Sequence, residues 1–257
     1  MITSTANAQV KNLIQLVKKA KVRNEQRLFV VEGPKMYAEA PKEWLDKVYV
    51  SESFVTDKEH QAMLAGASYE VLSDSVFKTV SDTQTPQGIL SLLKMPSYEL
   101  SDVMRGEKTH LLILESIQDP GNLGTMFRTG EGAGISGVIM NKTTVDVFNP
   151  KTIRATMGSI YRVPFYVADN LAETIDKLHA AGVQLYAAHL KGTRSYDTLD
   201  YKAATGFLIG NEGNGLTAET AELADTYVRI PMEGAVESLN AAIAATILMY
   251  ETARQRR

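Results

Sequence analysis

The apolar positions of the chain form short unbroken runs and stripes spaced three or four residues apart. Unbroken runs are typical of buried strands, whereas the i, i+3, i+4, i+7 spacing indicates an amphipathic helix. Near the N-terminus this spacing predicts a helix over 7–20, with its apolar stripe formed by Val10, Leu13, Ile14 and Val17. Apolar runs then predict strands over 28–31, 48–51, 69–72 and 89–93, with helical stretches between them. These elements predict a small α/β unit that ends near Met95.

A second set of elements follows a polar, proline- and glycine-containing stretch over 96–108, which is typical of a linker. Apolar runs predict further strands over 111–114, 137–140, 164–167, 184–188, 206–209 and 227–230. Helical spacing separates most of them, and strands that alternate with helices predict a parallel sheet covered on both faces. The sequence therefore predicts two α/β domains, over 1–96 and 109–257, joined by a linker over 97–108.

The last predicted helix, over 239–250, is apolar nearly all the way round. Such a helix is usually buried on two sides. It could be enclosed entirely within its own domain, but its position at the end of the chain favours a partner subunit on one side. We therefore expect a homodimer that forms through the C-terminal helix.

Composition removes several classes of function. The chain has no cysteine, which excludes disulfides, thiolate zinc sites, iron–sulfur clusters and cysteine nucleophiles. Its four histidines show no metal-ligand spacing, so we expect no metal. No stretch approaches the length of a membrane span, and the N-terminus lacks the apolar core of a signal peptide. We expect a cytoplasmic protein without a membrane partner.

Charge is distributed unevenly. The net charge is −3, yet residues 1–35 hold seven basic and only two acidic side chains. Lysines 11, 18 and 19 lie away from the apolar stripe of the first predicted helix. They are either an ordinary solvated face or a surface that contacts the phosphates of a nucleic acid.

The glycines of residues 132–137 spell G-x-G-x-x-G, the pattern of dinucleotide-binding turns. That pattern binds a pyrophosphate only where it follows a strand and opens a helix. Here the predicted helix over 122–133 comes first and the strand follows. The glycines therefore predict a helix C-cap and a turn.

Three polar segments lie where predicted strands end: 115–124, which leads to Arg128, 207–216, and 229–240. Each has an ordinary structural interpretation. Asn122 could cap a helix while Arg128 is a surface charge, residues 210–215 could form a plain turn, and Ser238 and Asn240 could cap the last helix. The carboxyl ends of parallel strands share one edge of a sheet, where open α/β folds bind ligands. We therefore expect the three segments to meet in one site.

These segments read NLGTMFR at 122–128, IGNEGNGL at 209–216 and IPMEGAVESLNAAIA at 230–244. In order and spacing they resemble the motifs of the SpoU (TrmH) RNA 2′-O-ribose methyltransferases of the SPOUT superfamily. The resemblance covers residues from about 109 to 257. The N-terminal part, with RLFVVEGPK at 27–35, resembles more loosely the small RNA-binding domain, similar to certain ribosomal proteins, that precedes many members.

The resemblance implies a deep trefoil knot in the parallel-sheet domain, dimers through the last helix, and S-adenosylmethionine as cofactor. The residues implied near the cofactor are Gly210, Ile230, Met232 and Leu239. The residues implied in catalysis are Arg128, with Asn122 and Glu212 in support, and Ser238 and Asn240, which complete the pocket. The RNA-binding residues expected in the N-terminal domain are Lys11, Lys18, Lys19, Arg23, Arg27 and Lys35.

The usual account of the family makes the arginine a general base. A guanidinium is essentially always protonated in proteins, so we interpret Arg128 as a group that holds a phosphate and stabilises charge on the 2′-oxygen.

The function implied is methyl transfer to a ribose 2′-hydroxyl of ribosomal RNA. An enzyme acting on transfer RNA and an antibiotic-resistance methyltransferase remain open, as does a non-catalytic RNA-binding ribosome-assembly factor. The presence of all five implied catalytic residues argues against the last.

Overall fold

The computed structural model describes the whole chain, from Met1 to Arg257. It contains two compact units, one formed by Met1–Ser97 with Asp146–Tyr161 and the other by Tyr98–Val145 with Arg162–Arg257. The units differ from the boundaries expected from the sequence in two respects. The stretch expected to be a linker contributes Val103, which is fully buried, to the core of the second unit. A segment from the second half of the chain belongs to the first unit.

The chain forms eleven strands and eleven α-helices, besides four short 3₁₀ helices. The strands are β1 (Leu28–Glu32), β2 (Leu45–Ser51), β3 (Tyr69–Leu72), β4 (Ile89–Lys94), β5 (His110–Leu114), β6 (Gly137–Asn141), β7 (Phe165–Ala168), β8 (Gln184–Ala188), β9 (Arg194–Ser195), β10 (Thr205–Ile209) and β11 (Thr226–Arg229). The helices are α1 (Ala8–Lys18), α2 (Ala20–Gln26), α3 (Pro34–Glu39), α4 (Glu52–Thr56), α5 (Lys58–Met63), α6 (Asp74–Val80), α7 (Pro120–Ala133), α8 (Pro150–Thr156), α9 (Leu171–Ala180), α10 (Ala218–Glu222) and α11 (Ala241–Gln255). None of the helices is long and apolar enough to cross a membrane.

The first unit is built on a four-stranded sheet with the order β1-β4-β2-β3. Strand β4 is antiparallel to both of its neighbours, and β3 runs parallel to β2. The predicted apolar stripe of α1 is largely confirmed, because Val10, Leu13 and Val17 are buried in a core shared with α6 and the sheet. The lysines of α1 therefore lie on its exposed side.

Arg23 is an internal residue of the first unit, with a side chain only 3% exposed. Its Nε and Nη2 atoms donate to Asp146 Oδ2 at 3.0 and 2.5 Å. Its Nη1 atom donates to the carbonyls of Leu16 and Val17 at 2.6 and 3.1 Å. A guanidinium enclosed by these acceptors cannot reach an RNA phosphate, so the prediction that Arg23 binds RNA is wrong. The residue holds the 146–161 segment instead.

The second unit is built on a seven-stranded parallel sheet with the order β7-β6-β5-β10-β8-β11-β9. Every residue of β5 and β10 is buried. Successive side chains of a strand point to opposite faces, so both faces of these central strands are covered. The prediction of a parallel α/β sheet is confirmed. The parallel register also places the carboxyl ends of β5, β8, β10 and β11 along one edge.

The glycines of residues 132–137 end a helix and do not open one. Helix α7 stops at Ala133, and Gly134 follows in the left-handed conformation with φ 73°. Glycine adopts this conformation without steric cost, which is why it is common at this position. The strand β6 starts three residues later at Gly137. The interpretation of this segment as a C-cap and turn is confirmed.

A pH-dependent stability is expected from His110, the first residue of β5, which is 1% exposed. Burial, assisted by the nearby charge of Arg256, lowers the pKa of His110 from 6.5 to about 3. The folded protein therefore keeps His110 neutral while the unfolded chain takes up a proton below its pKa of 6.5. The buried, neutral His110 therefore contributes fully to the free energy of unfolding above that pH. This contribution is lost as the pH falls, by about 2 kcal/mol between pH 6.5 and about pH 5.

Urea denaturation across this pH range measures the effect, with His110→Phe as the comparison. The variant removes the titrating ring, so its midpoint should fall less steeply on acidification. Equal slopes for the two proteins would show that His110 does not carry the acid sensitivity.

Candidate active site

The three polar segments predicted to meet do lie together at the carboxyl edge of the parallel sheet. A cavity of about 260 Å³ opens between residues 209–216 after β10, residues 228–239 after β11, and the end of β8. Six of the predicted site residues line it: Gly210, Glu212, Ile230, Met232, Ser238 and Leu239. Residues 188–190 and Arg229 also line the cavity, and sequence reasoning missed them. Their position directly at the ends of predicted parallel strands was the available signal.

Gly210 is required by a close approach of two backbone segments. A Cβ atom at this position would lie 2.0 Å from the carbonyl carbon of Gly215 and 2.1 Å from the nitrogen of Leu216. The turn between them is closed by paired backbone hydrogen bonds, in which Asn211 and Gly215 each donate to the other's carbonyl at 3.0 and 2.9 Å. Only a residue without a side chain permits this tight turn, which leaves polar backbone groups along the cavity wall.

Asn211 fixes the shape of the turn from inside. Its Oδ1 atom accepts hydrogen bonds from the N–H groups of Gly213 and Asn214 at 2.9 and 3.1 Å. Its Nδ2 atom donates to the carbonyl of Ser116 at 2.9 Å. Ser116 adopts the left-handed conformation with φ 57°, so a non-glycine residue there carries backbone strain. One asparagine thus ties the loop after β10 to the loop after β5.

Glu212 joins the same loops through its carboxylate. Oε2 accepts from the N–H of Gln118, and Oε1 accepts from the N–H of Asp119 and from Asn122 Nδ2, each at 3.0 Å. Partial burial by itself would raise the pKa of Glu212, but the hydrogen bonds from Asn122, Gln118 and Asp119 outweigh it and lower the pKa. The side chain is therefore an ionised acceptor at neutral pH, and it anchors the N-terminus of α7.

The third segment joins this network through Asn240. Asn240 Nδ2 donates to Asn122 Oδ1 at 3.0 Å, and Asn240 Oδ1 accepts from the N–H groups of Ala242 and Ile243 at 2.9 and 3.3 Å. Asn240 is thus the N-cap of α11, and the expectation that Ser238 caps this helix is wrong. Ser238 lies two residues before the N-cap, exposed at the cavity wall. The apolar helix also starts later and runs further than predicted.

Helix α7 likewise begins before Asn122. Its N-cap is Asp119, whose Oδ1 accepts from the N–H of Asn122 at 2.8 Å. Asn122 is therefore in the first turn, where its side chain is free to link Glu212 and Asn240. Its role as a simple cap, which the sequence left open, is excluded.

Arg128 lies on α7 outside the cavity lining, exposed and without a hydrogen bond or ion pair. Long helical side chains lean towards the N-terminus of their helix. The positions four and seven residues before it are Gly124 and Gly121, which have no side chain. Glu212 and Asn122 lie at the N-terminus of the same helix.

Glu115 is a buried residue that supports the loops of the site, a role that could not be predicted from the sequence. It directly follows β5 and is 7% exposed. Its carboxylate accepts from the N–H and Oγ1 of Thr217 at 2.8 and 2.9 Å, and from the hydroxyl of Thr220. The carboxylate connects β5 to the start of α10, directly after the cavity turn. No cluster of three or more histidine, aspartate or glutamate side chains is placed to hold a metal ion.

The predicted RNA-binding residues other than Arg23 are on the surface of the first unit. Lys11, Lys18 and Lys19 are exposed and form no ion pair. Arg27 donates to the carbonyl of Pro96 at 3.2 Å, and Lys35 lies 3.7 Å from Glu39. Among the predicted RNA-binding residues, these three lysines are therefore the ones that remain exposed without a partner.

Fold and site together define an α/β enzyme whose ligand cavity is built from loops at the carboxyl edge of a parallel sheet. Residues 109–250 match the model of the SpoU rRNA methylase family. Residues 7–91 match the MRM3-like substrate binding domain. The chain belongs to the SpoU rRNA methylase family. The family resemblance of the three motifs and the prediction of an RNA methyltransferase are confirmed.

Individual relatives are similar to this protein along nearly the whole chain. The 23S rRNA (guanosine(2553)-2′-O)-methyltransferase RlmP of Bacillus subtilis is 35% identical over 97% of both chains. The crystal structure of an AdoMet-bound rRNA methyltransferase from Sinorhizobium meliloti is 35% identical, with a TM-score of 0.87 over 98% of this chain and 97% of that one. The SpoU methyltransferase AviRb of Streptomyces viridochromogenes, in complex with AdoMet, is 26% identical, with a TM-score of 0.89 over 97% and 98%.

Proposed function

We propose that the protein transfers a methyl group from S-adenosylmethionine to a ribose 2′-hydroxyl of ribosomal RNA. The observation that carries the proposal is a set of hydrogen bonds beside the cavity. Through them, Glu212, Asn122 and Asn240 join three loops that are distant in sequence, and the unpaired Arg128 lies on the helix that starts there. Two relatives that match the chain throughout its length are named as rRNA methyltransferases. An enzyme that acts on RNA must be present where RNA is made and matured. We therefore propose that the protein is located in the cytoplasm.

The cavity fits S-adenosylmethionine. Its walls combine apolar side chains, such as Ile230 and Leu239, with backbone N–H and C=O groups of the glycine-rich turn. This combination suits a nucleoside, which presents an apolar ring with polar edges. A side chain at Gly210 would break the turn that forms one wall. We propose that Gly210, Ile230, Met232 and Leu239 hold the cofactor, which when bound supplies an activated methyl group on a sulfonium centre.

The protein's contribution is to orient the acceptor hydroxyl and manage its charge. Alignment of two reactants can supply roughly 7–11 kcal/mol of a barrier. We propose that Arg128 grips a phosphate of the RNA with its planar fork and stabilises the negative charge that develops on the 2′-oxygen. Glu212 and Asn122 hold the N-terminus of α7 in place beneath it, and Ser238 and Asn240 complete the acceptor side of the pocket.

RNA is the expected polymer because the acceptor, a 2′-hydroxyl, is absent from DNA. We propose that the first unit, which contains residues 1–96, binds the RNA and that the second unit carries the methyltransferase site. The match of 7–91 to a substrate binding domain supports this division. Lys11, Lys18 and Lys19 would contact phosphates, with Arg27 and Lys35 nearby in sequence.

Charge reversal at Lys18 and Lys19 tests the RNA-binding role. The double variant Lys18→Glu/Lys19→Glu should bind RNA more weakly, and the magnitude of the slope of log affinity against log salt should fall by about 1.4–1.8, because two phosphate contacts are lost. Affinity for S-adenosylhomocysteine should not change. The double variant Lys42→Glu/Lys58→Glu, which reverses two other exposed lysines of the same unit, is the control. A salt slope equal to that of the wild type would exclude Lys18 and Lys19 from the RNA interface.

Two further features of the family are proposed for this chain. We propose a trefoil knot, since β11 lies beyond β8 while α11 packs back on α7, β10 and β5. Residues 230–240 must therefore return across the carboxyl edge past the turn at 210–216. We also propose a homodimer through α11, because Ile243 and Tyr250 remain 49% and 41% exposed on one face of this helix.

The dimer is tested by light scattering of the purified protein. The wild type should have twice the mass of the 28.2 kDa chain, and Ile243→Arg should shift it towards the monomer, since a buried charge opposes the interface. Val167→Arg changes a comparably exposed apolar residue away from α11 and should leave the mass unchanged. A monomeric wild type at micromolar concentration would contradict the proposal.

The proposed activity is tested by incubating the purified protein with S-adenosylmethionine and RNA from cells that lack its gene. Ribosomal and transfer RNA are assayed separately, and nucleosides are identified by mass spectrometry. The expected product is one 2′-O-methylated nucleoside in ribosomal RNA. Methylation only in transfer RNA would correct the substrate, whereas no methylation and no cofactor binding would favour a non-catalytic assembly factor.

A further inference from the structure

The cavity contains a cation that neither the motifs nor the proposed mechanism uses. Arg229, the last residue of β11, is the only lysine or arginine that lines the cavity. It is exposed and forms no hydrogen bond or ion pair. Its neighbours Val228 and Ile230 also line the cavity, so Arg229 belongs to a continuous stretch of the cavity wall.

The other charges around the cavity are negative. Glu212 has both oxygens occupied by hydrogen bonds, and Glu237 lies on the loop after β11. His189, which donates its backbone N–H to the carbonyl of Val228 beside Arg229, accepts a hydrogen bond at Nδ1 from the N–H of Lys191 at 3.1 Å. Arg229 is therefore the one permanent positive charge available to an anion bound in this cavity.

The methyl donor carries charges of both signs: a sulfonium, an ammonium and one carboxylate. A guanidinium pairs with a carboxylate through two parallel hydrogen bonds, which makes it selective as well as attractive. We propose that Arg229 binds the carboxylate of the methionine part of the donor and so fixes the end of the molecule that bears the sulfonium. This inference rests on the proposed function, since it takes S-adenosylmethionine as the ligand of the cavity.

An RNA phosphate is the alternative anion for Arg229. The position of the residue in the cavity wall, between two other lining residues, favours a ligand inside the cavity over a polymer that stays at the surface. Arg128, by contrast, lies outside the cavity lining, where a phosphate can approach.

Calorimetric titration with two ligands tests the assignment. S-adenosylhomocysteine carries the carboxylate, and its decarboxylated form lacks only that group. Arg229→Gln should weaken binding of S-adenosylhomocysteine by about tenfold, the size expected for losing a hydrogen-bonded charge. Binding of the decarboxylated form should not change. Arg229→Lys should retain part of the preference, and Lys191→Gln, which removes a neighbouring cation outside the cavity lining, should retain all of it.

Each other outcome overturns the proposal in a recognisable way. If Arg229→Gln bound both ligands more weakly by the same factor, Arg229 would only shape the cavity. Unchanged binding of both, together with a salt slope for RNA binding reduced by about 1, would assign Arg229 to an RNA phosphate. A wild type that binds neither ligand would remove the proposed methyl donor, and this inference with it.

Discussion

Replacement of Arg128 by alanine should lower the rate of methyl transfer by about 10²–10³-fold, the usual cost of removing one group that stabilises charge in a transition state. Affinity for S-adenosylhomocysteine should stay unchanged, because Arg128 does not line the cavity. Thermal stability should also be unchanged, because the side chain is exposed and has no partner to lose. Single-turnover transfer of labelled methyl groups to RNA measures the rate.

Arg128→Lys distinguishes between the possible roles of this side chain. A lysine supplies a point charge without the planar fork, so we expect most of the activity to be lost here too. Arg162→Ala is the control. Arg162 is a partly exposed arginine that forms an ion pair with Glu131, a residue of the same helix α7 that carries Arg128. Near-complete methylation by Arg128→Lys, with an unchanged pH dependence, would contradict the orienting role.

Gly210→Ala should strongly weaken cofactor binding without changing any catalytic side chain. The added methyl group would meet the backbone of residues 215 and 216, which cannot rotate away as a side chain could. Overpacking typically costs about 1–3 kcal/mol, and a backbone obstacle places this case at the upper end. We therefore expect S-adenosylhomocysteine to bind about a hundredfold more weakly.

Gly213→Ala is the matched control for this prediction. A Cβ atom at Gly213 would have its nearest neighbour, Asn211 Oδ1, at 3.5 Å, which is ordinary contact. This variant should bind the ligand like the wild type. Thermal denaturation of both variants separates a local change of the turn from unfolding. Wild-type affinity in Gly210→Ala would show that the turn does not form the cofactor site.

The convergence of the three loops could be predicted because it follows from the direction of strands alone. Once the apolar runs ending at Leu114, Ile209 and Ile230 are assigned to one parallel sheet, their carboxyl ends must share an edge. The contacts made at that edge could not be predicted. Asn122 and Asn240 are separated by 118 positions, and their hydrogen bond depends on how α7 and α11 pack.

Arg23 shows why the charge pattern of the first 35 residues led to one wrong prediction of an RNA-binding residue. In the sequence it is one more cation of a basic segment, alongside Lys18 and Lys19. Its partner, Asp146, is 123 positions away in a segment that belongs to the first unit although it lies between β6 and β7. Local spacing contains no information about such a partner, so exposed and buried cations look alike.

The start of α11 illustrates a smaller limit. Ser238 and Asn240 are both good capping residues, and the apolar pattern is compatible with either. Asn240 caps the helix, and Ser238 is left on the cavity wall. Helix ends are set by hydrogen bonds that periodicity does not resolve.

The crystal structure of the protein with S-adenosylhomocysteine tests the central claim most directly. We expect the ligand between residues 209–216 and 228–239, with its sulfur facing the N-terminus of α7 and its carboxylate at Arg229. Ligand density elsewhere on the molecule, with this cavity unaltered, would contradict the account.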